Sequence, residues 1–308
     1  MRWLAAIIGV ALLGGCATAG SPPLSASVNE LRDTPFFAQD DLQCGPAVLA
    51  TLLTQAGLPA SPQSLAAEVY LPARGGSLQI EMLATARRHG GFAVPVRGTL
   101  DALAEELRAG HPVAVLLNLS LPVAPLWHYA VVVGIEDGGA RVVLRSGNTQ
   151  RLLLSGYTFE QTWARSGHWA FVAPAAGTLP AGADEATLLR AALSFERAAP
   201  PVAALKVYAA LLARYPGNFT AAMGLGNSRA AAGDTAGALL AFEDAALRFD
   251  SAPAWINLAQ LRFDAGDLLG AGDAAARAVR RSRADEPRWT HEAEAVAVTV
   301  RSAVQALR

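Results

Sequence analysis

Apolar and polar positions along this chain change texture several times. Trp3 to Leu13 is an apolar run that follows a short positive start, Met1-Arg2, and ends at Gly14-Gly15-Cys16. Residues 17 to about 33 are rich in Ser, Pro and Ala, a composition suited to a tether. From about 34 to 174, helical and strand-like patterns alternate. Gly45-Pro46 opens a helical pattern through Leu53, with Pro46 suited to a first helical turn and Gly57 past the end. Further helices are predicted over 62–69 and 78–89, then a strand over 92–96, a helix over 100–108 and a buried strand over 112–117. After the proline-rich stretch 121–125, strand-like runs occupy 129–135, 141–144 and 151–154, separated by Gly/Asp/Asn turns, and a last strand is predicted over 169–172. Helices first and an antiparallel sheet second predict an α+β module.

From about 184 to 308 the pattern becomes helical with an internal repeat. Leu225, Gly226, Gly233-Asp234, Ala238 and Ala245 recur thirty-three positions later as Leu258, Ala259, Gly266-Asp267, Ala271 and Ala278. This resembles the tetratricopeptide repeat, with small residues where paired helices touch and a Gly-Asp turn between them. About three units are expected, roughly 186–217, 218–251 and 252–285, followed by a capping helix. Gly272 and Ala275 depart from the repeat consensus, which has larger residues there.

Residues 1–15 read as a signal peptide, and Leu13-Gly14-Gly15-Cys16 resembles the bacterial lipobox. That resemblance implies removal of 1–15 and acylation of Cys16 with palmitate-like chains, each buried methylene contributing about 0.8 kcal/mol to anchoring. Ala17 rather than aspartate follows Cys16, which implies an outer-membrane lipoprotein facing the periplasm. No segment reaches the roughly 20 apolar residues that cross a bilayer. The chain is 52% hydrophobic and 17% charged, enough for a buried core in about two domains. A formal charge of -1 and the lack of any Lys/Arg stripe argue against a nucleic-acid partner.

The chain has two cysteines, so lipidation of Cys16 leaves Cys44 as the free thiol, with no intrachain disulfide possible. A buried core cysteine is the ordinary fate of such a residue, but its surroundings suggest chemistry. A thiol attacks as thiolate, which a helix N-terminus and an adjacent imidazolium favour. Cys44 stands immediately before a predicted helix, and His128 immediately before the strongest strand pattern, a rigid place for a general base. The Cys44 backbone amide and the Gln39 side chain could hold the oxyanion; Gln43 is expected to point away from the thiol. His168 also precedes a strand and is the alternative base, while His89 and His111 read as capping or surface residues. Trp127 reads as a cleft wall or a core aromatic. Scattered histidines argue against a structural zinc site, and no phosphate-binding glycine loop is present, so no cofactor or metal is expected.

Phe36-Phe-Ala-Gln-Asp-Asp-Leu-Gln-Cys-Gly-Pro-Ala-Val-Leu49 and His128-Tyr-Ala-Val-Val-Val-Gly134 resemble the two motifs of the double-glycine-leader, C39-like cysteine peptidases. Ala86-Arg-Arg-His-Gly90 fits the region between them. The resemblance covers about 34–174 and implies a papain-like α+β peptidase domain, here followed by an all-α tetratricopeptide-repeat domain. It implies Cys44 as nucleophile, His128 as general base and Gln39 in the oxyanion hole. The family carries an Asp, usually Asp-Pro, at the end of the strand after the histidine, and this chain reads Leu144-Arg-Ser-Gly-Asn148 there. Asn148 is assigned to orient the imidazole through its side-chain carbonyl. Ser146, nearer by spacing but a poorer acceptor, and Asp137 in the preceding turn are the alternatives. The expected function is peptide-bond hydrolysis at the cell envelope on a protein or peptide substrate, with a protein partner held by the helical repeats and the membrane reached through the lipid anchor. The competing expectations are a non-catalytic adaptor of the same architecture and acyl or amide transfer by the same Cys-His pair.

Overall fold

The computed structural model describes residues 27–38 and 44–306. Cys16, Gln39 and Gln43 lie outside the described residues. The first module contains, in chain order, α1 (Cys44–Gln55), α2 (Pro62–Val69), β1 (Tyr70–Leu71), β2 (Gly76–Ser77), α3 (Gln79–Arg88), β3 (Val94–Pro95), α4 (Leu100–Arg108), β4 (Val113–Asn118), β5 (Trp127–Glu136), β6 (Arg141–Ser146), β7 (Thr149–Ser155), α5 (Gly156–Ala164) and β8 (Ala170–Val172). An antiparallel sheet runs in the order β3-β8-β4-β5-β6-β7, and β1 and β2 form a separate two-stranded ribbon.

Both faces of the sheet are covered, which explains why its central strands read as unbroken apolar runs rather than alternating ones. On one face α1, α2 and α3 bury Leu49, Leu53, Leu65 and Met82 against Leu116, Tyr129, Val131 and Val133. On the other, α4 and α5 bury Leu103, Leu107, Phe159 and Trp163 against Val115, Ala130, Val132 and Leu144. Each fully buried large side chain contributes about 1.5–3 kcal/mol relative to exposure. Central β5 is held from both sides, a rigid support for whatever its first residues carry.

The chain departs from the sequence reading at several points. Residues 27–33, assigned to a tether, belong to the packed module: Val28 is buried and bridges to Ile135. The strand expected over 92–96 is reduced to Val94–Pro95, because Phe92 and Val94 turn into the seam with the helical region and Pro95 has no N–H to extend a ladder. Helix α5 forms where no element was indicated. Ser155 caps it by accepting from the Thr158 N–H, and Phe159 and Trp163, four residues apart, anchor it to the sheet. The β1–β2 ribbon, two residues per strand, was likewise too short to carry a pattern.

The helical region comprises α6 (Glu185–Glu196), α7 (Pro201–Arg214), α8 (Phe219–Ala231), α9 (Thr235–Phe249), α10 (Ala252–Asp264), α11 (Leu268–Ala284) and α12 (Thr290–Ala306). The recurring Gly-Asp pair has one physical role at both sites. Gly233 and Gly266 take φ of +80° and +81°, and Asp234 and Asp267 then cap the next helix by accepting from the N–H groups of Gly237 and Gly270. Ala238, Ala245, Ala259, Ala271 and Ala278 are all buried between helices. At the departure from consensus, Val300 of α12 lies 4.0 Å from where a Gly272 Cβ would be, so the last helix fills that space. Phe92 meets Phe195 edge-on, with ring centroids 5.6 Å apart, and Gly182 donates its N–H to buried Glu106 at 2.8 Å, joining the two regions. Among the described residues no helix is long and apolar enough to cross a membrane.

Candidate active site

Cys44 is the first residue of α1 and is partly buried against the core of the α1 face. Gly45 explains the local sequence. A Cβ there would lie 2.2 Å from Ser77 Oγ and 3.3 Å from the Met82 sulfur, so only glycine lets the helix start press against β2 and α3. The thiol lies near the backbone N–H groups of Tyr129, Gly45 and Cys44 itself, within the core cluster that holds Tyr129 and Met82. Burial pushes the Cys44 thiol up, and those three amides, which favour thiolate, only partly oppose it. The lowered thiol pKa expected from a helix start is therefore corrected: desolvation exceeds the helix-terminal effect at this depth.

His128 is the second residue of β5 and pairs with Leu117 of β4. The packing of Cys44 against the core cluster that contains Tyr129 brings α1 to β5 one residue from His128. The imidazole Nε2 lies 2.8 Å from Ser146 Oγ, and burial pushes the ring's pKa down. No hydrogen bond joins Sγ to the ring, and both shifts favour the uncharged forms. Desolvation thus favours the uncharged thiol and the uncharged imidazole, and the thiol proton must move when a substrate is attacked.

The imidazole's partner is Ser146 rather than Asn148. Extending the β5–β6 pairing that matches Val131 with Arg145 would set residue 148 opposite His128, which is why a reading by strand position favours it. The chain instead turns at Gly147-Asn148 so that Thr149 pairs with Ser146. Asn148 is left exposed in that turn, and Ser146, the diagonal neighbour on the same face, reaches the ring. Asp137 sits at the other end of β5, exposed and bridged to Arg141. The remaining candidate histidines are held by carboxylates: His89 by Glu68 at 2.7 Å, His111 by Glu106 at 2.9 Å and His168 by Glu160 at 2.8 Å. His111 is mostly buried rather than a surface residue.

Two supports were not apparent in the sequence. Arg145, beside Ser146, is buried and donates to the carbonyls of Arg32 at 3.1 Å and Gln150 at 2.8 Å and to Glu30 at 2.9 Å, strapping the segment that leads toward Cys44. Burial alone would raise the Glu30 pKa, but Arg151 and Arg145 together hold it below the usual carboxylate range. Tyr129 donates its hydroxyl to the Ser77 carbonyl at 3.0 Å, tying the ribbon to β5. Burial, with the Cys44 thiol beside it, raises the Tyr129 phenol well above its ordinary value and keeps it protonated. An apolar run with one arginine, and a tyrosine after a histidine, carry no sequence signal for these roles. Trp127 is about half exposed rather than a core aromatic. A cavity of about 230 Å³ lined by Gln55, Ala56 and His111 lies at the opposite end of α1 from Cys44.

Residues 31–170 match the model of the Peptidase_C39 like family. Among solved structures, the chain is similar to a C39-like peptidase from Bacillus anthracis, at 19% identity and a TM-score of 0.43, covering 48% of this chain and 97% of that one. It is also similar to a double glycine motif protease from an AMS/PCAT transporter in complex with the leader peptide, at 17% identity and a TM-score of 0.36, covering 49% and 97%. No curated protein matches the chain.

Proposed function

With residues 31–170 forming a papain-like domain of the C39-like family, we propose that this protein is a cysteine peptidase whose nucleophile is Cys44 and whose general base is His128. The observation that carries this reading is the meeting of the α1 N-terminus with β5, where Cys44 packs into the core cluster that holds Tyr129, the residue after His128. In the tautomer whose Nε2–H donates to Ser146 Oγ, the lone pair is on Nδ1. That nitrogen takes the thiol proton as sulfur attacks the scissile carbonyl, and then delivers it to the leaving amine. Water, deprotonated by the same nitrogen, opens the resulting thioester and regenerates the thiol. The Cys44 amide, with Gln39, serves the oxyanion. Ser146 holds the ring in place but supplies no negative charge to stabilise the imidazolium, so this triad is weaker than one closed by a carboxylate.

The same reading makes the chain a lipoprotein acylated at Cys16, anchored in the outer membrane and facing the periplasm. Residues 184–308 serve as tetratricopeptide repeats that bind a protein partner. Its substrate is a peptide or protein. Comparison of envelope protein N-termini between wild type and Cys44→Ala tests this: at least one new terminus should depend on Cys44. Unchanged termini would favour a non-catalytic adaptor, the reading to which the raised thiol pKa and a serine, rather than a carboxylate, on His128 Nε2 point. Mass analysis of the products separates hydrolysis from acyl or amide transfer.

A further inference from the structure

Residues 119–127, joining β4 to β5, contain no charged side chain. Leu119, Leu121, Val123, Leu126 and Trp127 are all exposed, Val123 at 90%. Single exposed apolar residues are ordinary, but a cluster of this kind marks an interaction surface. The loop is braced. Leu119 N–H donates to the Leu126 carbonyl at 2.9 Å and Ala124 N–H to the Leu121 carbonyl at 3.0 Å. Buried Asn118 accepts from the Ser120 and Leu126 N–H groups at 3.0 Å each, and exposed Arg165 donates to the carbonyls of Asn118 and Ser120.

The shape selects the partner. A site that reads an apolar peptide side chain encloses it, whereas this loop projects its own side chains outward. A fluid apolar phase accepts such a knob. Trp127 at the loop's base and the Arg165 cation beside it are residue types that settle at lipid headgroup depth. The chain's path allows the contact: residues 17–26 can span at most about 35 Å. Val28 meets Ile135, about 26 Å along β5 from Trp127 at roughly 3.3 Å per residue. A chain anchored at Cys16 can therefore bring this loop to the same bilayer.

We propose that the 119–127 loop inserts its apolar tip into a lipid surface and so presents the Cys44 site to polypeptide segments lying at the bilayer. The docking rests on the loop and on the lipid-anchor reading of Cys16, and the substrate class rests on the peptidase reading. The test is flotation of residues 17–308, which retain every described element, with phosphatidylethanolamine/phosphatidylglycerol (3:1) vesicles. The unlipidated chain should bind, and Leu121→Glu with Val123→Glu should weaken binding by about tenfold or more, with an unchanged thermal melt. Should that pair fail to fold, Leu121→Ser with Val123→Ser gives the same readout. No binding by the unsubstituted chain, or equal binding by the folded variants, overturns the proposal. Capture of a protein in place of vesicles overturns it as well. Cys44→Ala should float like the unsubstituted chain, so failure of the peptidase reading leaves this result intact.

Discussion

Replacing Ser146 with alanine removes the hydrogen bond that, among the described residues, holds the side chain of the general base. Its hydroxyl lies 2.8 Å from His128 Nε2 and is about 8% exposed, so water does not readily substitute for it. A neutral hydrogen bond contributes about 0.5–1.5 kcal/mol net, and a mostly buried ring nitrogen left unpaired costs about 1–3 kcal/mol. At about 1.4 kcal/mol per factor of ten, Ser146→Ala should slow a His128-assisted reaction by roughly 5- to 100-fold. Ser146→Asp should act in the opposite sense. A carboxylate against the ring favours imidazolium and should raise the lowered His128 pKa. The assay is iodoacetamide alkylation of Cys44 at neutral pH in a chain carrying Cys16→Ser, where Cys44 is the sole thiol, paired with NMR titration of the His128 ring. Equal alkylation rates and an unmoved titration in Ser146→Ala would show that this hydroxyl does not govern the base. A loss in Asn148→Ala instead would move the orienting role to the turn.

The direction of the thiol shift sets a pH profile: alkylation of Cys44 should keep rising above pH 9.0, later than for a free cysteine, and His128→Ala should lower it most near neutrality. The buried imidazole sets another. Because burial lowers the His128 pKa below 6.5, the unfolded chain protonates first, and stability should fall as pH drops through about 6.5, a component that His128→Gln removes from the melting temperature. Arg145→Ala leaves Glu30 nearly buried and short of one of its two cations, and should cost about 3–5 kcal/mol by urea unfolding. In the helical region a Cβ on Gly224 would fall 2.4 Å from the Tyr208 ring, so Gly224→Ala should destabilise by about 1–3 kcal/mol in the same measurement.

The helix starts, the central strands and the helical hairpins were legible because each carries local chemistry. Pro62 opens α2, Thr99 caps α4 and the Gly-Asp pairs turn the hairpins, and those signals hold wherever the chain later packs. The strand character of β5 was visible as an apolar run, and the positions of Cys44 and His128 followed from the helix and strand starts they stand at. What the sequence could not carry were relations between strands. Whether residue 146 or 148 meets His128 depends on where the β6–β7 hairpin turns, and the two choices differ by two residues on one face, a distinction invisible to alternation. The thiol's raised pKa depends on how deeply α1 sinks into the sheet, a sum over many contacts that outweighs the local helix-terminal preference for thiolate. Arg145 as a strap, Tyr129 as a tie to Ser77, and the outward face of the 119–127 loop likewise exist only once segments distant in the chain have packed, because burial and exposure are properties of the assembled surface rather than of the residues that line it.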